Sequence, residues 1–251
     1  MKAYAIVLGG GSGTRMGVEL NKVLMPLRGV PAIVRAIAPF TGLCAGVVVV
    51  ARADEVELMQ ALMRRYGLGR AVLAVVAGGA DRQASVQNGL AALPQDADAV
   101  LIHDGARALV TEAIICRTLA SVDAYGSGVA AVPVTDTIKR ATPEGVVTET
   151  LDRSQLFAMQ TPQGFRLADI RRAHELAGPL EPHASTLPSA DISRPHEAMG
   201  YRATDDAALL EHIGLPVRLV EGSRENIKLT TPFDLRLAEA ILAARDEEAE
   251  P

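Results

Sequence analysis

Short runs that are apolar at every position recur along this chain, separated by longer stretches of helical pattern. Tyr4–Leu8, Gly46–Ala51, Ala71–Val76, Ala99–His103 and Gly128–Pro133 are such runs, and Val217–Glu221 is a further candidate. A strand with one wet face alternates apolar and polar residues, so a run without alternation must be covered on both faces. Strands of this kind alternating with helices predict an α/β fold, a doubly wound and mostly parallel sheet. Aromatic residues make up only 3% of the chain and Trp is absent, so Ala, Val, Leu and Ile must build the core. A chain of 251 residues can bury such a core without disulfides or metals, here as one domain over 1–251.

The helices between the strands have recognisable starts. Asp54 with Glu57 three residues later reads as a capping box. Asp81 and Thr111 stand as caps for helices near Arg82–Leu93 and Glu112–Tyr125. Thr231-Pro232 opens a last helix towards Ala244, and the acidic Asp246–Pro251 is expected to fray. Two segments break the alternation. Thr135–Phe157 is polar and lacks a helical period, which predicts an extended arm or hairpin. Gly178–Gly200 holds four prolines among Ser and Ala residues and reads as a mobile surface loop.

A formal charge of −5 gives no general attraction for nucleic acid or anionic membranes. Phosphate binding must come from local placement of cations and backbone N–H groups. Cys44 and Cys116 form no CxxC pair and read as small buried apolar residues. The five His residues show no metal-ligand spacing, so no protein-built metal site is expected. No apolar run approaches a membrane span and no cleavage site follows Met1, which predicts a cytoplasmic protein.

After the first strand comes Gly9-Gly10-Gly11-Ser12-Gly13-Thr14-Arg15-Met16-Gly17. Glycines here let the backbone approach a ligand and offer N–H groups to phosphate oxygens, although a tight turn can need them too. The spacing excludes two familiar loops. GxGxxG fails because Gly9/Gly11 leads to Thr14 and Gly11/Gly13 leads to Met16; no glycine satisfies GxxxxGK[ST] either. What remains is a glycine loop followed by Arg15 and then Lys22, two cations suited to charge building up at phosphorus.

Three further polar clusters fall after strands, where ligands bind in doubly wound sheets. They are Gly78-Gly79-Ala80-Asp81-Arg82 with Ser85, His103-Asp104-Gly105-Ala106-Arg107, and Thr135-Asp136-Thr137-Ile138-Lys139-Arg140. Arg153 and Lys228 lie outside the alternation and, taken alone, would be surface charges.

These motifs resemble the 2-C-methyl-D-erythritol 4-phosphate cytidylyltransferase family. The first loop is similar to its Ala-Ala-Gly-x-Gly-x-Arg-Met signature. Gly78-Gly79-x-x-Arg82-x-x-Ser85-Val86, His103-Asp104-x-Ala106-Arg107, Asp136-Thr137-x-Lys139, Thr161-Pro162-Gln163, Thr204-Asp205 and Asn226-Ile227-Lys228-x-Thr230 follow in the family's order. Gly9-Gly10 stands for the usual Ala-Ala, and Asn21-Lys22-Val23 for a usual Pro-Lys-Gln.

The resemblance implies a Rossmann-like fold of the nucleotide-diphospho-sugar transferase type, with an extended β-arm at 135–157 that clasps a homodimer. It implies CMP transfer from CTP to a sugar-alcohol phosphate, with Mg²⁺ held mainly through the CTP phosphates. In the family, the residues matching Arg15 and Lys22 stabilise the pentacoordinate phosphorus, and those matching Arg153 and Lys228 position the sugar phosphate. Those matching Asp104, Arg107, Thr137, Thr161 and Thr204 complete that pocket, while those matching Gly9, Gly10, Gly11, Gly13, Gly79, Ala80 and Ser85 hold CTP. A ribitol 5-phosphate cytidylyltransferase shares this chemistry, and a non-catalytic nucleotide-sensing module shares the fold. His103–Arg107 and Asn226–Lys228 favour methylerythritol phosphate, and keeping Arg15, Lys22, Arg153 and Lys228 together argues for catalysis.

Overall fold

The computed structural model describes residues 1–10, 21–178, 201 and 203–249. Gly11, Gly13, Arg15 and nearly all of the Gly178–Gly200 loop lie outside the described residues. The strands are β1 (Ala3–Leu8), β2 (Pro26–Leu27), β3 (Val30–Pro31), β4 (Val47–Ala51), β5 (Val72–Ala77), β6 (Ala99–Asp104), β7 (Ser127–Pro133), β8 (Lys139–Ala141), β9 (Val147–Thr150), β10 (Phe157–Arg166) and β11 (Leu219–Glu221). The helices are α1 (Ala32–Ile37), α2 (Val56–Arg65), α3 (Arg82–Ala91), α4 (Glu112–Tyr125), α5 (Leu167–Ala177), α6 (Asp206–His212) and α7 (Pro232–Ala249).

The main sheet has seven strands in the order β11-β7-β10-β6-β1-β4-β5. The five apolar runs and the Val217–Glu221 candidate each contribute a strand to it. β11 and β7 are parallel, as are β6, β1, β4 and β5, whereas β10 runs antiparallel to both of its neighbours. Side chains alternate between two cores. Ala5, Val7, Val49 and Leu101 pack with Met59 of α2, Ile114 of α4 and Leu242 of α7. Tyr4, Ile6, Val50 and Ile102 pack on the other face with Val86 of α3, Ile170 of α5 and Leu210 of α6. Both faces are dry, which is why these strands carry no polar stripe.

The strand order reverses at β1, whose neighbours are β6 on one side and β4 on the other. That crevice is where a doubly wound sheet leaves room for a ligand. The ends of β1, β4, β5, β6 and β7 share this edge. Because β10 runs the other way, its beginning meets their ends, with Phe157 opposite Pro133 and Met159 opposite Ala131. Between Met159 and Gln163 the register slips, and Pro162, which has no N–H to donate, sits in the gap. The Thr135–Phe157 segment leaves the sheet as a hairpin of β8 and β9, a separate two-stranded sheet with exposed residues throughout.

Several local expectations need correction. Asp54 caps no helix: it lies in a short 3-10 turn, Ala53–Glu55, and its carboxylate accepts from the Arg52 guanidinium at 3.1 and 3.2 Å. A cation two residues back has taken the carboxylate that the cap required, and α2 begins at Val56 without a side-chain cap. Asp81 does cap α3, accepting from Ala84 N–H at 2.8 Å. Thr111 holds the cap position of α4 without a side-chain bond. The C-terminal helix runs on to Ala249, and Asp246 is paired to Arg28 at 3.1 Å rather than lying in a frayed end. Cys116 is exposed on α4, not buried; Cys44 is partly buried, and burial pushes its thiol up to about 12.

Candidate functional site

On the first side of the crevice, β1 ends at Leu8 and hands over to Gly9, which is buried and donates its N–H to the Val50 carbonyl at 2.7 Å. Gly10 follows, exposed. The far end of the glycine loop returns to the same place. The buried Asn21 side chain donates to the Gly9 carbonyl at 2.6 Å and to Glu55 Oε2 at 2.7 Å, while its Oδ1 accepts from Val23 N–H at 3.3 Å. Lys22 begins a 3-10 turn directly after this clamp, so its backbone is fixed beside the end of β1.

Beyond β4, the end of β5 turns tightly into α3. Ser85 Oγ donates to the Asp81 carbonyl at 2.7 Å and accepts from Gly79 N–H at 3.0 Å. A Cβ on Gly79 would lie 2.4 Å from Ala84 Cβ, so only glycine lets the turn press against the helix. Gly79, Ala80 and Ser85 are thus brought together, with Ala80 exposed. The serine proton is committed to the turn itself.

On the other side, four predicted residues converge. Asp104 ends β6, and its Oδ2 lies 2.7 Å from Lys228 Nζ. Thr161 of β10 accepts the Asp104 N–H at 3.0 Å through its hydroxyl. Arg107 donates its own N–H to the Asp104 carbonyl at 2.9 Å, and its guanidinium reaches the Asn226 carbonyl at 2.7 Å. Leu229 N–H donates to the Ala106 carbonyl at 2.8 Å, which seats the segment carrying Lys228 against the β6 loop.

Thr161 is only 4% exposed, and its hydroxyl lies between two partners. It meets His103 Nδ1 at 2.9 Å, while His103 Nε2 lies 3.2 Å from the Arg107 carbonyl. A carbonyl can only accept, so Nε2 carries a proton, and in a neutral ring Nδ1 then accepts from Thr161. Burial keeps the ring neutral, pulling its pKa down to about 4 against the opposing pull of Asp104. Burial alone would raise Asp104, but the Lys228 and Arg82 charges outweigh it and hold the carboxyl at about 2.

The remaining predicted residues are more dispersed. Thr137 and Arg153 belong to the arm; both are exposed, and Arg153 donates to the Thr135 carbonyl at 2.8 Å. Thr204 is exposed, two residues before α6. Residues not singled out as site candidates turn out to hold it together. Gln160 bonds Ser223 in both directions, Nε2 donating to its carbonyl at 2.7 Å and Oε1 accepting its N–H at 3.2 Å. Gln163 Oε1 accepts from Asp206 and Ala207 N–H at 3.0 and 3.1 Å, capping α6, and Asn226 donates to the Thr161 carbonyl at 2.9 Å. The available signal was the concentration of amides at Gln160, Gln163 and Asn226 next to motif residues.

The comparisons with known proteins agree on one family. A family model described as 2-C-methyl-D-erythritol 4-phosphate cytidylyltransferase matches residues 3–244. A protein of that name from Geobacillus thermodenitrificans is 44% identical over 248 residues, covering 98% of this chain and 99% of its own. The crystal structure of one from Thermus thermophilus matches with a TM-score of 0.71 at 30% identity, over 95% of this chain and 98% of that one. A 4-diphosphocytidyl-2C-methyl-D-erythritol synthase from Anaerococcus prevotii shares the fold with a TM-score of 0.77 at 24% identity, over 96% and 98% of the two chains.

Two buried groups with depressed pKa values give the stability a defined acid limb. In each case the unfolded chain binds more protons, so stability rises with pH across the window. For His103 the contribution is complete above about 6.5 and is lost as pH falls towards about 4; for Asp104 it is complete above 3.8 and lost towards about 2. Each window is expected to cost about 2–3 kcal/mol. In urea titrations at stepped pH, His103→Gln should flatten the upper window and Asp104→Asn the lower. Parallel acid limbs in all three proteins would contradict this assignment.

Proposed function

The chain belongs to the 2-C-methyl-D-erythritol 4-phosphate cytidylyltransferase family, and on that premise we infer that it transfers CMP from CTP to 2-C-methyl-D-erythritol 4-phosphate. The products are 4-diphosphocytidyl-2-C-methyl-D-erythritol and pyrophosphate. The observation that carries this reading is the Asp104–Lys228 pair, 2.7 Å apart, set beside Thr161 and Arg107 at the carboxyl edge of β6.

A phosphate monoester oxygen is already a competent nucleophile near neutral pH, so the step needs no strong general base. It attacks the α-phosphorus of CTP in line; the new P–O bond forms as the bond to the β-phosphate oxygen breaks, and pyrophosphate leaves. Catalysis is then mostly positioning and charge neutralisation. In this reading Arg15 and Lys22 meet the charge at phosphorus, and the turn at Gly79–Ser85 with Gly9, Gly10, Gly11 and Gly13 holds the nucleotide. Lys228 and Arg153 orient the acceptor phosphate, with Asp104, Arg107, Thr137, Thr161 and Thr204 around the polyol. For Thr161 the bonding favours an indirect part, through Asp104 and His103, since its hydroxyl has no proton left for a ligand.

Mg²⁺ fits this site as a partner of the nucleotide. Among the described residues no group of three His, Cys, Asp or Glu could hold a metal, and the Asp104 carboxylate already faces two cations. The ion would be held mainly by the CTP phosphate oxygens and would supply charge neutralisation at the triphosphate. No helix among the described residues is long and apolar enough to cross a membrane. A homodimer is part of the proposal. Its support is the exposed hairpin, with Val146 63% and Val147 55% exposed, and Phe157 at the start of β10 44% exposed, apolar surface that a second copy would cover.

Three experiments test these statements. Pyrophosphate release with CTP should be rapid with 2-C-methyl-D-erythritol 4-phosphate and at least tenfold slower with ribitol 5-phosphate. Lys22→Ala or Arg15→Ala should lower kcat a hundredfold or more, about 2.7 kcal/mol of transition-state stabilisation, with a far smaller change in CTP affinity. Near-normal turnover in either variant would overturn their assignment. If the arm carries Arg153 to a neighbouring copy's pocket, mixing Arg15→Ala and Arg153→Ala chains should restore activity that neither has alone. A monomer by light scattering, or no recovery on mixing, would contradict the dimer.

A further inference from the structure

Arg82 opens α3, directly after the cap Asp81, on the turn that also carries Gly79 and Ser85. Its side chain leaves that turn and reaches the other side of the crevice. One end-nitrogen donates to Asp206 Oδ2 at 2.5 Å, and Nε lies 3.9 Å from Asp104 Oδ1. Asp206 is 1% exposed and begins α6, where the Gln163 side chain also holds its N–H. Asp104 keeps its second oxygen for Lys228. One guanidinium therefore ties α3 to the end of β6 and to the start of α6, the element that follows Thr204 and Asp205.

A buried carboxylate is costly to leave unpaired, and Asp206 has the Arg82 guanidinium against it. Burial works against the Arg82 charge as well, but Asp206 first, and then Asp104, more than offset it and hold the guanidinium above its ordinary range. Lysine would not keep this geometry: an ammonium donates from one point, whereas the planar guanidinium faces the two carboxylates from separate nitrogens.

We propose that Arg82 is a positioning residue for the acceptor, setting Asp104 and the Thr204–Asp206 segment relative to the nucleotide-side turn through its simultaneous contact with Asp104 and Asp206. This rests on the function proposed above. Arg82 and Asp206 then act as one unit, and Asp206 influences substrate only through Arg82.

The test is a double-variant cycle in the full-length protein with Arg82→Lys, Asp206→Asn and the pair, alongside the unmodified chain. For each, kcat and the KM for CTP and for 2-C-methyl-D-erythritol 4-phosphate are measured, with the thermal midpoint. The expected result is a tenfold or greater rise in KM for the sugar phosphate in each single variant, with the KM for CTP within threefold. The double variant should be no worse than the worse single one, since coupled residues are not additive. Should Arg82→Lys fail to fold, Asp206→Asn alone carries the comparison of the two KM values. An equal rise in both KM values, an unchanged KM for the sugar phosphate, or multiplicative losses in the double variant would overturn the proposal while leaving the enzymatic reading intact. An unmodified chain that releases no pyrophosphate from CTP and this acceptor would overturn both.

Discussion

β10 runs against the direction of β6 and β7 and lies hydrogen-bonded between them, so its first half is delivered to the edge where the other strands end. A parallel strand there would have presented its carboxyl end and then a loop. The antiparallel one brings instead a stretch of buried backbone whose polar side chains must all be satisfied. Gln160, Thr161 and Gln163 meet that demand by bonding three separate pieces: the Ser223–Asn226 loop, the His103–Asp104 end of β6, and the start of α6. The β6 side of the crevice is thus a set of loops tied to one strand as well as to one another.

That arrangement controls the electrostatics. The chain as a whole carries a charge of −5, yet Arg82, Arg107 and Lys228 gather around Asp104. Asp104 is 13% exposed on its side chain while Lys228 is 43% exposed, so the ammonium stands at the mouth with a fixed counter-charge behind it. His103 adds no charge to this cluster, because burial holds its pKa down at about 4. Attraction for a doubly charged phosphate is therefore local and short in range, which suits a small anion in an acidic protein.

The fold class was legible because burial on both faces leaves a mark at every position of a strand. Val47–Ala51 and residues 99–102 have no wet side to place a polar residue on, and an all-apolar run is the result. β10 leaves no such mark: Phe-Ala-Met-Gln-Thr-Pro-Gln-Gly-Phe-Arg contains a proline and three amide or hydroxyl side chains, a composition that argues against a central strand. Gln160, Thr161 and Gln163 are buried because they are bonded, not because they are apolar, and no local pattern separates these cases. Asp104, Arg107, Lys228 and Thr161 could each be named from ordered motifs, but their distances could not. Arg82 and His103 stood inside quoted motifs, and only the fold reveals that one spans two carboxylates and the other is a buried, neutral ring.

The central claim is that a β10 side chain, Thr161, organises the acceptor pocket without offering its own proton to a ligand. Thr161→Val keeps the shape and removes only the hydroxyl, leaving the Asp104 N–H and His103 Nδ1 without a partner, a loss of about 1–3 kcal/mol. The most direct measurement is steady-state pyrophosphate release by this variant with each substrate varied in turn. The account predicts a KM for 2-C-methyl-D-erythritol 4-phosphate raised roughly tenfold, a KM for CTP within twofold of the unmodified enzyme, and a His103 ring whose NMR titration moves away from its depressed value. An unchanged KM for the sugar phosphate, or an unaltered His103 titration, would contradict it.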